Sequence, residues 1–123
     1  HSFKGTIAPK DITLIFTDKQ TEHAIDKPLP VCVFEGFMDF LSFLSMKEEI
    51  ASHCLVMNSV SNLKKCLLEL EQYIFIHCYL DNDLAGQKTV ETIAGLYGIK
   101  VIDHSKNYYN YKDLNDYLRG KRR

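Results

Sequence analysis

Apolar and polar positions along this chain follow two alternating spacings. Mainly apolar runs occupy residues 31–35, 53–57, 73–80 and 99–102, and each is short enough to be one strand. Between them lie stretches with helical spacing. Residues 37–49 place Phe37, Met38, Leu41 and Leu44 on one broad face. A second helix runs to about residue 70, with Ser61 or Asn62 as its cap. A third spans residues 84–97 and ends at Gly98, a natural C-cap. A short last helix is expected over residues 112–118, after a polar, tyrosine-containing loop at 103–112.

Strands that alternate with helices predict a parallel sheet with helices on its faces, joined by right-handed crossovers. The near-continuous apolar character of the strands agrees, because both faces of such a sheet are covered. The fold class is therefore α/β, with a mainly parallel sheet of about four strands. Ahead of it, β-prone runs at 3–7 and 12–16 flank Ala8-Pro9-Lys10-Asp11, which has turn chemistry and predicts a small N-terminal β-hairpin. Residues 18–30 are polar, with Pro28 and Pro30 near their end, and have the character of a linker. The expected division is a hairpin and linker over 1–30 and a main domain over 31–123. The abrupt ends of the chain suggest a domain excised from a larger protein.

The 123 residues fit one domain, and a hydrophobic content of 46% is ordinary for a globular protein. The net charge of −1 does not favour a domain that grips nucleic acid by charge alone. No apolar run approaches the roughly 20 residues that span a bilayer; no membrane association and a cytoplasmic location are expected. The cysteines Cys32, Cys54, Cys66 and Cys78 form no C-x-x-C pair, and buried reduced thiols are the default. Zinc at His53-Cys54 or His77-Cys78 is disfavoured, since neighbours on a strand point to opposite faces.

Chemistry concentrates where two apolar runs end. The first closes in Glu35-Gly36-Phe37-Met38-Asp39, the second in Asp81-Asn82-Asp83-Leu84-Ala85-Gly86. In open α/β sheets, ligands bind at the carboxyl ends of strands. Carboxylates gathered there repel one another, and a hard divalent cation with a taste for oxygen, Mg²⁺ above all, resolves the repulsion. Asp81 and Asp83 also sit where helix caps belong, and Asp39 is best placed to cap or to hydrogen-bond across the turn. Gly86 allows a close backbone or ligand approach. Asn58-Ser59 follows the second strand and belongs to the same sheet edge, as phosphate contact or as simple turn. Lys88, one turn into the third helix, and Lys112 are candidate phosphate contacts. Tyr108, Tyr109 and Tyr111 are candidates for stacking on bases or for local packing. Neither a P-loop nor a G-x-S-x-G elbow is present.

The paired motifs, in this order and over residues 31 to about 119, resemble the TOPRIM family, whose hallmark is a glutamate after the first strand and an Asp-x-Asp after a later one. That family comprises the catalytic domains of bacterial DNA primases, type IA and type II topoisomerases, and some nucleases and recombination proteins. The primase branch is the most similar, because Lys112-Asp113-Leu114-Asn115-Asp116 resembles its Lys-Asp-Pro-Asp-Glu segment. Asn115 stands there in place of an aspartate, and Asn82 in place of the usual glycine; such departures resemble divergent primase-like proteins of mobile elements and Bacteroidetes-type genomes.

The resemblance implies a Rossmann-like TOPRIM fold and Mg²⁺-dependent (or Mn²⁺-dependent) nucleotidyl transfer in RNA-primer synthesis. Glu35 would be the acid/base or a metal-linked carboxylate, Asp81 and Asp83 metal ligands, and Asp113 an auxiliary ligand. Gly36, Asp39 and Gly86 would support the site. Implied partners are a single-stranded DNA template, ribonucleotides and a replicative helicase, reached through the full-length protein, so that the isolated fragment can be inactive. The alternatives are a TOPRIM nuclease or topoisomerase domain, and a non-catalytic module that binds nucleic acid or protein.

Overall fold

The computed structural model describes residues 3–6, 11–17, 29–47 and 51–120. Two antiparallel strands open it, β1 (Phe3–Thr6) and β2 (Thr13–Thr17). The expected turn between them and most of the linker lie outside the described residues. The alternating part follows as β3 (Val31–Phe34), α1 (Phe37–Met46), β4 (His53–Val56), α2 (Leu63–Leu70), β5 (Ile76–Tyr79), α3 (Leu84–Tyr97), β6 (Val101–Asp103) and α4 (Leu114–Arg119).

All strands join one six-stranded sheet in the order β1-β2-β4-β3-β5-β6. Strands β4, β3, β5 and β6 are parallel, as the alternation of strands and helices predicts. The N-terminal hairpin adds two antiparallel strands, because β2 pairs with β4 at the edge of the parallel set.

The central strands are buried on both faces, and their alternate residues feed two cores. Val31, Val33, Leu55 and Cys78 pack beneath α2 and α3 with Cys66, Leu70 and Ile93. Cys32, Phe34, Cys54 and Val56 pack beneath α1 and α4 with Phe40, Phe43 and Leu114. All four cysteines are buried and free. Among the described residues no helix is long and apolar enough to cross a membrane.

Helix α1 corrects the expected face. Asp39, Phe40, Ser42 and Phe43 are its buried residues, whereas Met38 and Leu41 are exposed. Phe40 and Phe43 meet the rings of Phe34 and Tyr79 on the sheet. The polar Asp39 and Ser42 turn towards α4, a contact that helical periodicity alone does not foresee. The helix ends at Met46, where Lys47 turns extended, three residues before the expected end at 49. Asn62, one of the two expected caps, is the N-cap of α2, but its side chain makes no capping bond: its amide donates to the Met57 carbonyl, while Ser59 caps a 3₁₀ turn at Val60–Asn62.

Candidate metal centre

Strands β3 and β5 are neighbours in parallel register, with Phe34 opposite Tyr79. Glu35 and Asp81 therefore emerge side by side at the carboxyl ends of the central strands. Two helices deliver the remaining acids. Gly36 is the N-cap of α1, so Asp39 falls in the first turn of that helix and faces back over the sheet edge. Asp113 is the N-cap of α4, its Oδ1 accepting from the Asp116 N–H at 2.7 Å. Helices α1 and α4 are tied together at this point: Asn115 N–H donates to Asp39 Oδ1 at 3.0 Å.

One ligand atom each from Asp39, Asp81 and Asp113 lies within 4.8 Å of the others. At that separation, each ionised pair repels by at least about 3 kcal/mol at an effective dielectric near 20. The carboxyls respond by holding their protons more tightly. Burial, then the neighbouring Glu35, pushes the Asp81 carboxyl up to about 8. Burial also pushes Asp39 up to about 7, against the lowering effect of the Asn115 N–H. The Glu35 carboxyl is raised by burial, offset in part by the neighbouring Asp81 carboxyl, with further repulsion from Asp83 and Asp39 and a small lowering by Lys112.

Glu35 Oε1 and Asp81 Oδ1 are buried oxygens with no hydrogen-bond partner. Leaving such an acceptor unpaired is costly. Three convergent carboxylates, two orphaned oxygens and a cleft of about 370 Å³ fit a hard divalent cation with oxygen ligands. The cleft is lined by Glu35, Gly36, Phe37, Met38, Asp39, Asn58, Ser59, Asp81 and Asp113.

The other expected site residues take distinct places. Asp83 is the N-cap of α3, its Oδ1 accepting from the Gly86 N–H at 2.8 Å. It is outside the convergent trio, though its charge acts on both Glu35 and Asp81. Gly86 is sterically required. A Cβ there would overlap the Asp81 carbonyl oxygen and lie 2.9 Å from the Asp81 carbonyl carbon. A side chain at Gly36 would meet only Asp39 Oδ2, at an ordinary 3.6 Å.

Asn58 lines the cleft, but its amide donates to the Asp11 carbonyl at 2.6 Å and to Thr13 Oγ1 at 2.8 Å. Its φ of 65° marks a sharp turn after β4. Lys88 is exposed on α3 and does not line the cleft. Lys112 is exposed, close enough to favour ionised Glu35. Tyr108 is buried, with its hydroxyl donating to the Leu80 carbonyl, so the expected stacking surface loses that ring.

Asp39 was assigned a supporting role by its sequence position; the structure makes it part of the trio as well as a partner of α4. Asn115, where the primase segment carries an acid, accepts from Ser42 Oγ at 3.1 Å and so faces α1.

The chain shares its fold with two solved structures of bacteriophage T7. The primase fragment of the T7 primase-helicase protein superposes with a TM-score of 0.55 at 20% identity, covering 89% of this chain and 53% of that one. The T7 lagging-strand DNA polymerase interacting with primase domains bound to an RNA/DNA hybrid and dTTP gives a TM-score of 0.58 at 23% identity, covering 94% of this chain and 57% of that one. This chain thus spans just over half the length of either. Among curated protein sequences, none matches it. The Toprim-like family model matches residues 32–118, from the first strand of the parallel set through α4, and the chain accordingly belongs to the Toprim-like family.

Proposed function

We propose that this chain is the catalytic domain of a DNA primase-type nucleotidyltransferase that depends on Mg²⁺, with Mn²⁺ as a substitute. The observation that carries the reading is the convergence of Asp39, Asp81 and Asp113 beside the orphaned oxygens of Glu35 and Asp81. Asp39, Asp81 and Asp113 would hold the cation, with Glu35 alongside. A bound divalent cation there neutralises the acids and supplies Lewis acidity towards phosphate oxygens.

The reaction joins a primer 3′-hydroxyl to the α-phosphate of an incoming ribonucleotide, and pyrophosphate leaves. Glu35 is the base of this reading. Burial raises its proton affinity, and once a cation holds Asp81 ionised its carboxylate can accept the hydroxyl proton. Lys112, beside Glu35, supplies positive charge for the triphosphate. Asp83 acts at one remove, fixing the start of α3 and adding negative charge near Asp81. Template strand, ribonucleotides and a replicative helicase are the proposed partners, engaged in the cytoplasm by the polypeptide that carries this domain.

The test is incorporation of labelled ribonucleotides on a single-stranded DNA template by that polypeptide, with and without Mg²⁺. Incorporation that disappears in Glu35→Gln and in Asp81→Asn supports the proposal. DNA cleavage or relaxation without incorporation would overturn it in favour of a nuclease or topoisomerase.

A further inference from the structure

Asn82 lies between the two aspartates of the Asp-x-Asp motif, and its side chain is buried rather than directed into the cleft. Its amide nitrogen donates to the Tyr108 carbonyl at 2.9 Å, the Tyr111 carbonyl at 3.0 Å and the Ser105 carbonyl at 3.2 Å. Its backbone N–H donates to the Lys112 carbonyl at 2.6 Å. These acceptors span the whole loop between β6 and α4, and the last of them immediately precedes Asp113. The neighbouring Leu80 carbonyl accepts from Tyr108 Oη, a further tie from the same strand end to the same loop.

Beyond a 3₁₀ turn at Ser105–Tyr108 this loop has no regular structure of its own, and its buried carbonyls must find donors. Here one amide serves several carbonyls at once. The residue next to Asp81 thereby dictates the path of the backbone that ends in Asp113. We infer that Asn82 is the positioning residue of the metal centre: it sets the distance between Asp81 and Asp113 by bracing the 105–112 loop. The inference rests on the proposed cation site and assigns no contact between Asn82 and the cation.

Groups that orient ligands without touching the metal commonly govern affinity by about 10–100-fold. Asn82→Ala removes the amide donor and retains the backbone bond to Lys112. Mn²⁺ affinity, followed by electron paramagnetic resonance, is expected to fall about 10-fold. Tyr108→Phe is the control, since it loses a hydrogen bond in the same loop and leaves the Asn82 amide in place. It should lower the melting temperature yet keep Mn²⁺ affinity within about twofold of wild type, well below that range. In metal-free protein, the Asn115 and Asp116 amides should exchange faster with solvent in Asn82→Ala, while those of β3 and β5 stay protected.

If Asn82→Ala does not fold, Asn82→Ser, which keeps a smaller donor, takes its place with the same expectations. Equal Mn²⁺ affinity in wild type and the Asn82 variant would overturn the inference, and so would an equal loss in Tyr108→Phe. Absence of Mn²⁺ binding by the wild-type chain would instead overturn the cation site itself, and the inference with it.

Discussion

Gly86→Ala is expected to reverse the sign of an ordinary helix substitution. Within a helix, alanine is favoured over glycine by about 1 kcal/mol. Gly86 and Gly95 both lie in α3, which makes them a matched pair. A Cβ at Gly95 meets nothing within 4 Å, so Gly95→Ala should stabilise the protein by about the helix-propensity difference. A Cβ at Gly86 falls on the Asp81 backbone, 2.9 Å from its carbonyl carbon and 3.1 Å from its nitrogen.

That neighbour is main chain at a strand end and cannot swing aside like a side-chain tip. Overpacking of this kind costs about 1–3 kcal/mol. The propensity gain is common to both, so the two variants should differ by the overpacking cost, about 1–3 kcal/mol. At about 4 °C per kcal/mol for a domain of this size, their melting temperatures should lie about 4–12 °C apart. Thermal unfolding followed by circular dichroism measures the gap. Since the displaced backbone carries Asp81, Gly86→Ala should also weaken divalent-cation binding, and Gly95→Ala should not. Equal stabilisation by both substitutions would refute the close approach of α3 to the Asp81 backbone.

Other consequences follow from the same geometry. Asp81 and Asp39, raised to about 8 and about 7, bind more protons folded than unfolded, so cation-free stability should fall as pH rises from about 4 to 8. Urea titrations across that range should show a loss exceeding about 1 kcal/mol, and Mg²⁺ should offset it most at the alkaline end. Calorimetry near pH 7 should register proton release on cation binding; zero release would contradict the raised carboxyls. Asp83→Ala should cost about 1 kcal/mol through the lost N-cap, whereas Asp83→Asn, which keeps a capping oxygen, should cost little. Asn58→Gly should be tolerated better than Asn58→Ala, because the φ of 65° suits glycine, and their denaturation midpoints will show the order.

What the sequence made legible was local. Helix α3 forms over the expected residues because its signals are contiguous: Asp83 caps one end and Gly98, at φ 59°, closes the other. The central strands were legible because their runs are nearly continuously apolar. Boundaries shifted where an apolar run serves packing instead of pairing. Tyr73 is buried in the α2–α3 core, yet β5 begins only at Ile76.

The site was legible only in part. Glu35 and Asp81 follow from strand ends, but Asp39 joins the trio only because α1 and α4 dock through the Asn115 N–H. No spacing within residues 35–39 announces a contact with residue 115. The same holds for Asn82 and Tyr108, whose polar atoms are used inside the fold by partners 23 or more residues away. Asn115 stands out in sequence as a missing acid; in the fold its amide oxygen belongs to Ser42.

Asp39, Asp81 and Asp113 are proposed to form one divalent-cation site. Mn²⁺ titration of the wild-type chain and of Asp81→Asn near pH 8, read by electron paramagnetic resonance, tests it most directly. A saturable site in the wild type that weakens by about 10-fold or more in the variant is the predicted result, since removing a ligand should cost at least as much as disturbing its support. A wild-type chain that binds no Mn²⁺ at millimolar concentrations, or a variant that binds it equally well, would contradict the claim.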